Sequence, residues 1–255
     1  MSPPRPDGYE TVLFDMDGVV LEGRETAPVV RSRALDDVLA DRDVTVSPAR
    51  RESLARPAYD DAFRAACEGL GLDPARLFRE REERSATRAV ERLAAGMRRL
   101  HRDVTVFDAL ADRATLGLVS NNYHPTVEFV VDHFRLDEFA FVRGRDPGPD
   151  GYGRRKPDPH YLNEALDALD ATDAIYVGDR ATDVIAADRA GIDSAFMRRD
   201  HNADRDLDVE PTAEIESLRE LLPLAGGSSP DPSATPSARP ADSPNSDADR
   251  GRPSE

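Results

Sequence analysis

Thr11-Val12-Leu13-Phe14-Asp15-Met16-Asp17-Gly18 decides the fold. Its first four residues form an unbroken apolar-leaning run, the pattern of a strand covered on both faces rather than one with a wet side. The run stops at two aspartates one residue apart, so carboxylates stand at the carboxyl end of the strand. Working outward, Leu116-Gly117-Leu118-Val119 ends at Ser120, and Ala174-Ile175-Tyr176-Val177 ends at Gly178-Asp179. Phe139 to Val142 and Ser194 to Met197 are two more candidate strands. Between them apolar residues recur at helical spacing: Val127, Val130, Val131 and Phe134, then Leu162, Ala165, Leu166 and Leu169. Asp158-Pro159 reads as an N-cap with proline at the first helical position. Val184 to Ala190 reads as a helix closed by Gly191. Strands alternating with helices predict an α/β fold with a doubly wound, Rossmann-like parallel sheet.

One stretch breaks the alternation. From Thr26 to Leu100 the signals are helical only: Val30, Ala34, Leu35, Val38; Tyr59, Ala62, Phe63, Ala66; Val90, Leu93, Ala94, Met97. This predicts an all-helical insertion of domain-like size after the first strand. The expected division is a catalytic core from 9–22 and 101–222, a helical insertion at 23–100, and a disordered tail at 225–255. The tail is Pro, Ser, Asp, Ala and Gly with almost no large apolar residue, too little to offset ordering entropy. Arg79-Glu80-Arg81-Glu82-Glu83-Arg84 reads as a solvated helix face laced by i,i+4 pairs.

The chain has 255 residues and a formal net charge of −16. No basic stripe exists to meet phosphate backbones or anionic lipid, so nucleic-acid and membrane partners are not expected. The longest apolar runs are too short to span a bilayer, and Met1-Ser2-Pro3-Pro4-Arg5 leads into no signal-peptide core, so a cytoplasmic protein is expected. A single cysteine, Cys67, leaves no intramolecular disulfide and no cysteine zinc cluster. The acidic balance and the scarcity of lysine fit a surface adapted to high salt, where screening removes self-repulsion. Of the 34 lysine and arginine side chains, one is lysine, Lys156 in Arg154-Arg155-Lys156-Pro157-Asp158-Pro159. Lysine delivers a compact point charge on a flexible stem, which arginine's planar fork does not.

Ligands of open α/β sheets bind outside the carboxyl ends of the strands. Asp15 and Asp17, Ser120 and Asn121, and Asp179 and Asp183 follow strands in that way, and Lys156 precedes a capped helix. The ordered set Asp15-Met16-Asp17-Gly18, Ser120-Asn121, Lys156-Pro157-Asp158-Pro159 and Gly178-Asp179-Arg180-Ala181-Thr182-Asp183 resembles the four motifs of the haloacid dehalogenase (HAD) superfamily, over about residues 9 to 222. The resemblance is to the phosphoglycolate phosphatase-like branch, and the helical insertion resembles that family's cap. It implies Asp15 as nucleophile and Asp17 as general acid and base. It implies phosphate binding by Ser120 and Lys156, with Asn121 adding a hydrogen bond. It also implies Mg²⁺ held by Asp15, the Asp17 carbonyl and Asp179, hard oxygen ligands, with Asp183 acting through a bound water or by orienting Lys156.

The implied activity is Mg²⁺-dependent hydrolysis of a small phosphorylated metabolite. Asp17 favours a phosphatase over a dehalogenase, because only a leaving oxygen needs an acid. Val19-Val20 departs from the threonine-leucine usual after the first motif. Arg24 and Arg56 in the insertion are candidates for recognising the leaving group. A sugar-phosphate mutase of the same fold is the alternative; a phosphorelay receiver and a non-catalytic binding protein are more distant ones. His101, His124, His133, His160 and His201 lack metal-ligand spacing and read as structural.

Overall fold

The computed structural model describes residues 8–23 and 26–226. In chain order the elements are β1 (Thr11–Phe14), α1 (Pro28–Ala40), α2 (Pro48–Ala55), α3 (Asp61–Glu68) and α4 (Pro74–Ala94). A 3₁₀ turn at Arg102–Val106 then runs into α5 (Phe107–Ala111), followed by β2 (Thr115–Tyr123), α6 (His124–Phe134), β3 (Phe139–Arg145) and α7 (Pro149–Gly153). The chain continues through α8 (His160–Ala168), β4 (Ala174–Gly178), α9 (Ala181–Ala190), β5 (Asp193–Met197) and β6 (Ala213–Ile215) to a second 3₁₀ turn at Leu218–Leu221.

The strands form one sheet in the order β3-β2-β1-β4-β5-β6, with every neighbouring pair parallel. Strand alternation sorts the side chains into two layers. Val12 and Phe14 face a cluster with Phe107, Leu110, Val127, Val130, Leu218 and Leu221. Leu13 and Tyr176 face the opposite one, with Tyr161, Leu162, Ala165, Ala186 and Ala187. Both faces are covered, which is why the strands read as continuous apolar runs. β1 lies between β2 and β4, so the strand order reverses at its carboxyl end and opens a crevice there.

The helices α1 to α4 enclose a separate core of Leu35, Val38, Leu54, Phe63, Leu77 and Phe78 with their neighbours. Three of these helices carry strong start signals. Ser47, Asp60 and Asp73 accept hydrogen bonds from the amides of Arg50, Phe63 and Arg76, and Pro48 and Pro74 open their helices. The chain crosses between sheet and insertion twice, and the crossings run side by side: Leu21 bridges Leu100, Glu22 N–H donates to the Arg99 carbonyl, and His101 N–H donates to the Val20 carbonyl.

Several expectations are corrected. The segment Arg79–Arg84 is not wholly solvated: Arg81 is 0% and Glu82 2% exposed. The buried face of α4 runs Leu77, Phe78, Arg81, Glu82, Ser85, Ala86, Ala89, Leu93. Met97 lies beyond the helix end and is 59% exposed. α8 begins at His160 with Pro159 as its N-cap, and Asp158 accepts from the His160 amide. β2 continues four residues past Val119, so Ser120 and Asn121 lie within the strand. β6, with three residues, carries too little pattern to stand out in the sequence. Ala225, expected in the disordered tail, is buried and bridges Tyr9; 227–255 lie outside the described residues.

Candidate active site

The carboxyl ends of β1, β2 and β4 and the start of α9 converge on a cavity of about 220 Å³. Asp15, Asp17, Ser120, Asn121 and Asp183 line it from the sheet side, and Arg31, Pro57 and Glu82 from the insertion. Gly18 leaves β1 with φ of 84°, a left-handed conformation that favours glycine, and a Cβ there would collide with the Asp179 carboxylate. At Gly178 a Cβ would collide with Asp183. These two glycines let the acidic residues of separate loops close on one another.

Lys156 is buried behind two of the lining acids, Asp15 and Asp183, and is 4% exposed. Its Nζ is 3.1 Å from Asp15 Oδ1 and 2.8 Å from Asp183 Oδ1, and it also bonds the Tyr176 hydroxyl. Burial alone would weaken its hold on a proton, but the carboxylates of Asp15 and Asp183 outweigh burial and raise its pKa. Lys156 is therefore a fixed cation. Asp15 Oδ1 also accepts from the Met16 amide at 2.8 Å, so Oδ2 is the oxygen that carries none of these bonds.

Asp17 is held from two sides. Arg98 Nη1 lies 2.6 Å from Oδ1, and Asn122 Nδ2 donates to Oδ2 at 2.9 Å. Burial raises its pKa, Asp15 adds to the rise, and Arg98 opposes it. Asp183 closes α9: its Oδ2 accepts from the Arg180 amide at 3.0 Å while Oδ1 meets Lys156. Burial raises its pKa against the pull of Lys156.

Asp15, Asp179 and Asp183 each offer a carboxylate oxygen within 4.8 Å of the others, and all three are buried. Asp179 is pushed up to about 8 by burial and by the charges of Asp15 and Asp183. Its Oδ1 is buried without a hydrogen-bond partner, with Arg180 Nε at 3.6 Å. A carboxylate in that state is largely neutral at pH 7 unless a cation joins it. Three crowded oxygen donors, one of them orphaned, fit a hard divalent ion. The Asp17 carboxylate is outside this cluster, committed to Arg98 and Asn122, which leaves its backbone carbonyl as the group it could offer.

Asn121 lines the cavity and also holds a neighbouring loop. Its Oδ1 accepts from the Lys156 amide at 2.8 Å and its Nδ2 donates to the Lys156 carbonyl at 3.2 Å, so it pins the lysine's backbone. Ser120 is buried, and its Oγ accepts from the Asn122 amide at 3.2 Å. Arg56 does not line the cavity; it pairs with Asp60 at 3.0 Å on the surface. Arg24 lies outside the described residues.

Four residues were not singled out from sequence. Asn122 was close at hand, beside Ser120 and Asn121, and only the extension of β2 aims it at Asp17. Arg98, 81 positions from Asp17, had no local signal. His201, read as structural, sits with Nε2 2.6 Å from Asp179 Oδ2. Its neighbour Asn202 donates to the Asp179 carbonyl at 2.9 Å. Both come from the irregular loop after β5, so Asp179 is held by a segment with no motif of its own.

The profile of the haloacid dehalogenase-like hydrolases matches residues 9–191. Phosphoglycolate phosphatase 1 of Pseudomonas aeruginosa is 33% identical over 130 residues, 48% of this chain and 46% of the relative. The alignment thus spans about half of that relative's length. Phosphoglycolate phosphatase of Pseudomonas fluorescens is 25% identical over 83% of this chain and 78% of its own. Among solved structures, CbbY from Rhodobacter sphaeroides in complex with phosphate superposes with a TM-score of 0.57 at 21% identity, covering 84% of this chain and 96% of that one. A subfamily IA HAD hydrolase from Geobacter sulfurreducens gives 0.50 at 18% identity, covering 85% and 99%.

Proposed function

We propose that this chain, which belongs to the haloacid dehalogenase-like hydrolases, hydrolyses small phosphate monoesters through an aspartyl-phosphate on Asp15. The observation that carries the reading is the position of Asp15. Its carboxylate lines a small cavity, one oxygen is fixed by Lys156 and the Met16 amide, and the other is left to react. The relatives named phosphoglycolate phosphatases support a small organic acid phosphate as substrate.

In this reading Oδ2 of Asp15 attacks phosphorus in line with the leaving oxygen, and the phosphorus–oxygen ester bond breaks as the new bond forms. Asp17, protonated at the outset, gives its proton to the departing alkoxide; its raised pKa favours that starting state. Ionised after this step, Asp17 takes a proton from a water that attacks the phosphorus of the acyl phosphate. Phosphate leaves and the Asp15 carboxylate is restored. Lys156 keeps its positive charge throughout and stabilises the phosphoryl oxygens, with the Ser120 hydroxyl as a further donor. Asn121 positions Lys156, and Asn122 and Arg98 position Asp17. Asp15, Asp179 and Asp183 with the Asp17 carbonyl would hold Mg²⁺, which when bound supplies positive charge to the phosphoryl group.

Phosphate release from a panel of small monoesters, with and without Mg²⁺, tests the reading. Asp15→Asn is expected to lose at least about 10³-fold in kcat/KM. A folded Asp15→Asn protein that still turns over at near wild-type rates would end the proposal. Transfer to a sugar hydroxyl in place of water would identify a mutase.

A further inference from the structure

Four arginines line the cavity: Arg31, Arg145, Arg155 and Arg180. Two of them face carboxylates. Arg145 makes a bidentate pair with Glu82 at 2.6 and 2.9 Å and donates Nε to the Asn121 carbonyl. Arg180 lies against Asp179. The other two differ. Arg155 donates to the Tyr152 carbonyl and lies over the Tyr152 ring, its guanidinium carbon 3.5 Å from the centroid. The two contacts hold the guanidinium in place, and no carboxylate meets it among the described residues. Arg31, half-buried on α1, has no hydrogen bond or ion pair among the described residues, in a chain with 50 acidic side chains.

A partly desolvated guanidinium without an anion is unfavourable, and the cost is recovered when an anion arrives. The phosphoryl group does not require these two, because Lys156 already lies 3.1 Å from Asp15. Arg31 comes from the insertion and Arg155 from the loop before α8, and both line the cavity. The wall thus carries cationic capacity in excess of what one phosphoryl group uses.

Resting on the phosphatase reading above, we infer that Arg31 and Arg155 form a second anion subsite, which selects phosphomonoesters whose leaving group carries its own oxyanion, a carboxylate or second phosphate. The cavity of about 220 Å³ restricts that group to a short carbon chain. A neutral leaving group of equal size leaves both forks unmatched. Rejection of such an analogue is the kind of discrimination polar sites achieve most strongly.

The test compares kcat/KM for 2-phosphoglycolate, 1,3-propanediol bisphosphate and 2-hydroxyethyl phosphate, the last being the neutral analogue of the first. Wild type is expected to favour the better of the two substrates that carry a second oxyanion over 2-hydroxyethyl phosphate by at least about 100-fold, and which one wins identifies the oxyanion. Arg31→Gln is expected to lose about 30-fold or more on that substrate, chiefly through KM, and less than about 3-fold on the neutral one. Arg155→Gln should show the same selectivity. Arg33→Gln, exposed on the same helix, should leave all three unchanged. Activity on the neutral substrate reports a folded variant within the same experiment. Asp15-dependent turnover with no preference for the second charge, or equal losses on all substrates in Arg31→Gln, overturns the subsite and leaves the phosphatase standing. No Asp15-dependent turnover of any monoester overturns both.

Discussion

Two clusters of buried charge lie on either side of the cavity, and they are built differently. On the sheet side, Lys156 sits between Asp15 and Asp183, with Asp179 beside them, three acids against one lysine. On the insertion side, Glu82 of α4 meets Arg145 of β3 in a bidentate pair, accepts the Gly148 amide at 2.8 Å, and has Arg81 as its chain neighbour. The second cluster is internally satisfied at Glu82, and it joins helical insertion to sheet. The first is over-acidic, with Asp179 held up to about 8. A buried pair with all bonds met holds parts together; one left short of positive charge is prepared for something that brings it.

The largest test of this contrast is Glu82→Ala. Removing one partner strands Arg145 in a buried setting, and a loss of about 3–5 kcal/mol in stability is expected. That corresponds to a fall of roughly 6–20 °C in Tm for a chain of this size. A Tm within about 2 °C of wild type would show that the pair does not join the two parts.

Metal addition should separate the clusters next. Asp179 has its folded pKa raised, so its ionisation costs stability above the unfolded value near 4, increasingly so up to about pH 8. A bound cation removes that cost. Mg²⁺ at one fixed concentration, about 100 times its dissociation constant at pH 8, should stabilise by about 2.7 kcal/mol there, with a smaller Tm gain at pH 5.5. The gain should survive Glu82→Gln and vanish in Asp179→Asn. An equal gain at both pH values would break the account of the acidic cluster.

Lys156→Arg probes the sheet cluster alone. The planar fork cannot place one charge between Asp15 and Asp183, so kcat/KM should fall at least about tenfold, roughly 1.4 kcal/mol. Wild-type rates would show that any cation suffices. The smallest effect is expected for Asp60→Ala, which removes the N-cap of α3 and should cost about 1 kcal/mol of stability with kcat/KM intact. A fall in kcat/KM alongside that loss of stability would mean that the stability of the insertion governs the site.

The helix Arg79–Arg84 shows where sequence reasoning fails. Alternating Arg and Glu at i,i+4 spacing is the pattern of a wet helix. Yet Arg81 is wholly enclosed, lying over the rings of Phe78 and Phe63 and donating to the Leu54 and Arg56 carbonyls, with burial bringing its pKa down to about 10. Nothing in the local residues distinguishes Arg81 from Arg79. The difference arises because α2 and α3 close over one face of α4.

Sequence alone indicated the parallel sheet, the helical insertion after β1, and the placing of Asp15, Asp17 and Asp179 just past strand ends. Those features follow from short-range causes: apolar runs, caps, glycines, and the rule that loops at one edge of a parallel sheet meet. Tertiary structure alone decided that Asn121 pins the Lys156 backbone, that Arg98 and Asn122 grip Asp17, and that His201 and Asn202 support Asp179. It also decided which arginines face carboxylates and which face the cavity. A side chain's partner across 20 to 100 positions depends on how separate layers pack, and packing leaves no periodic trace in the chain that supplies it.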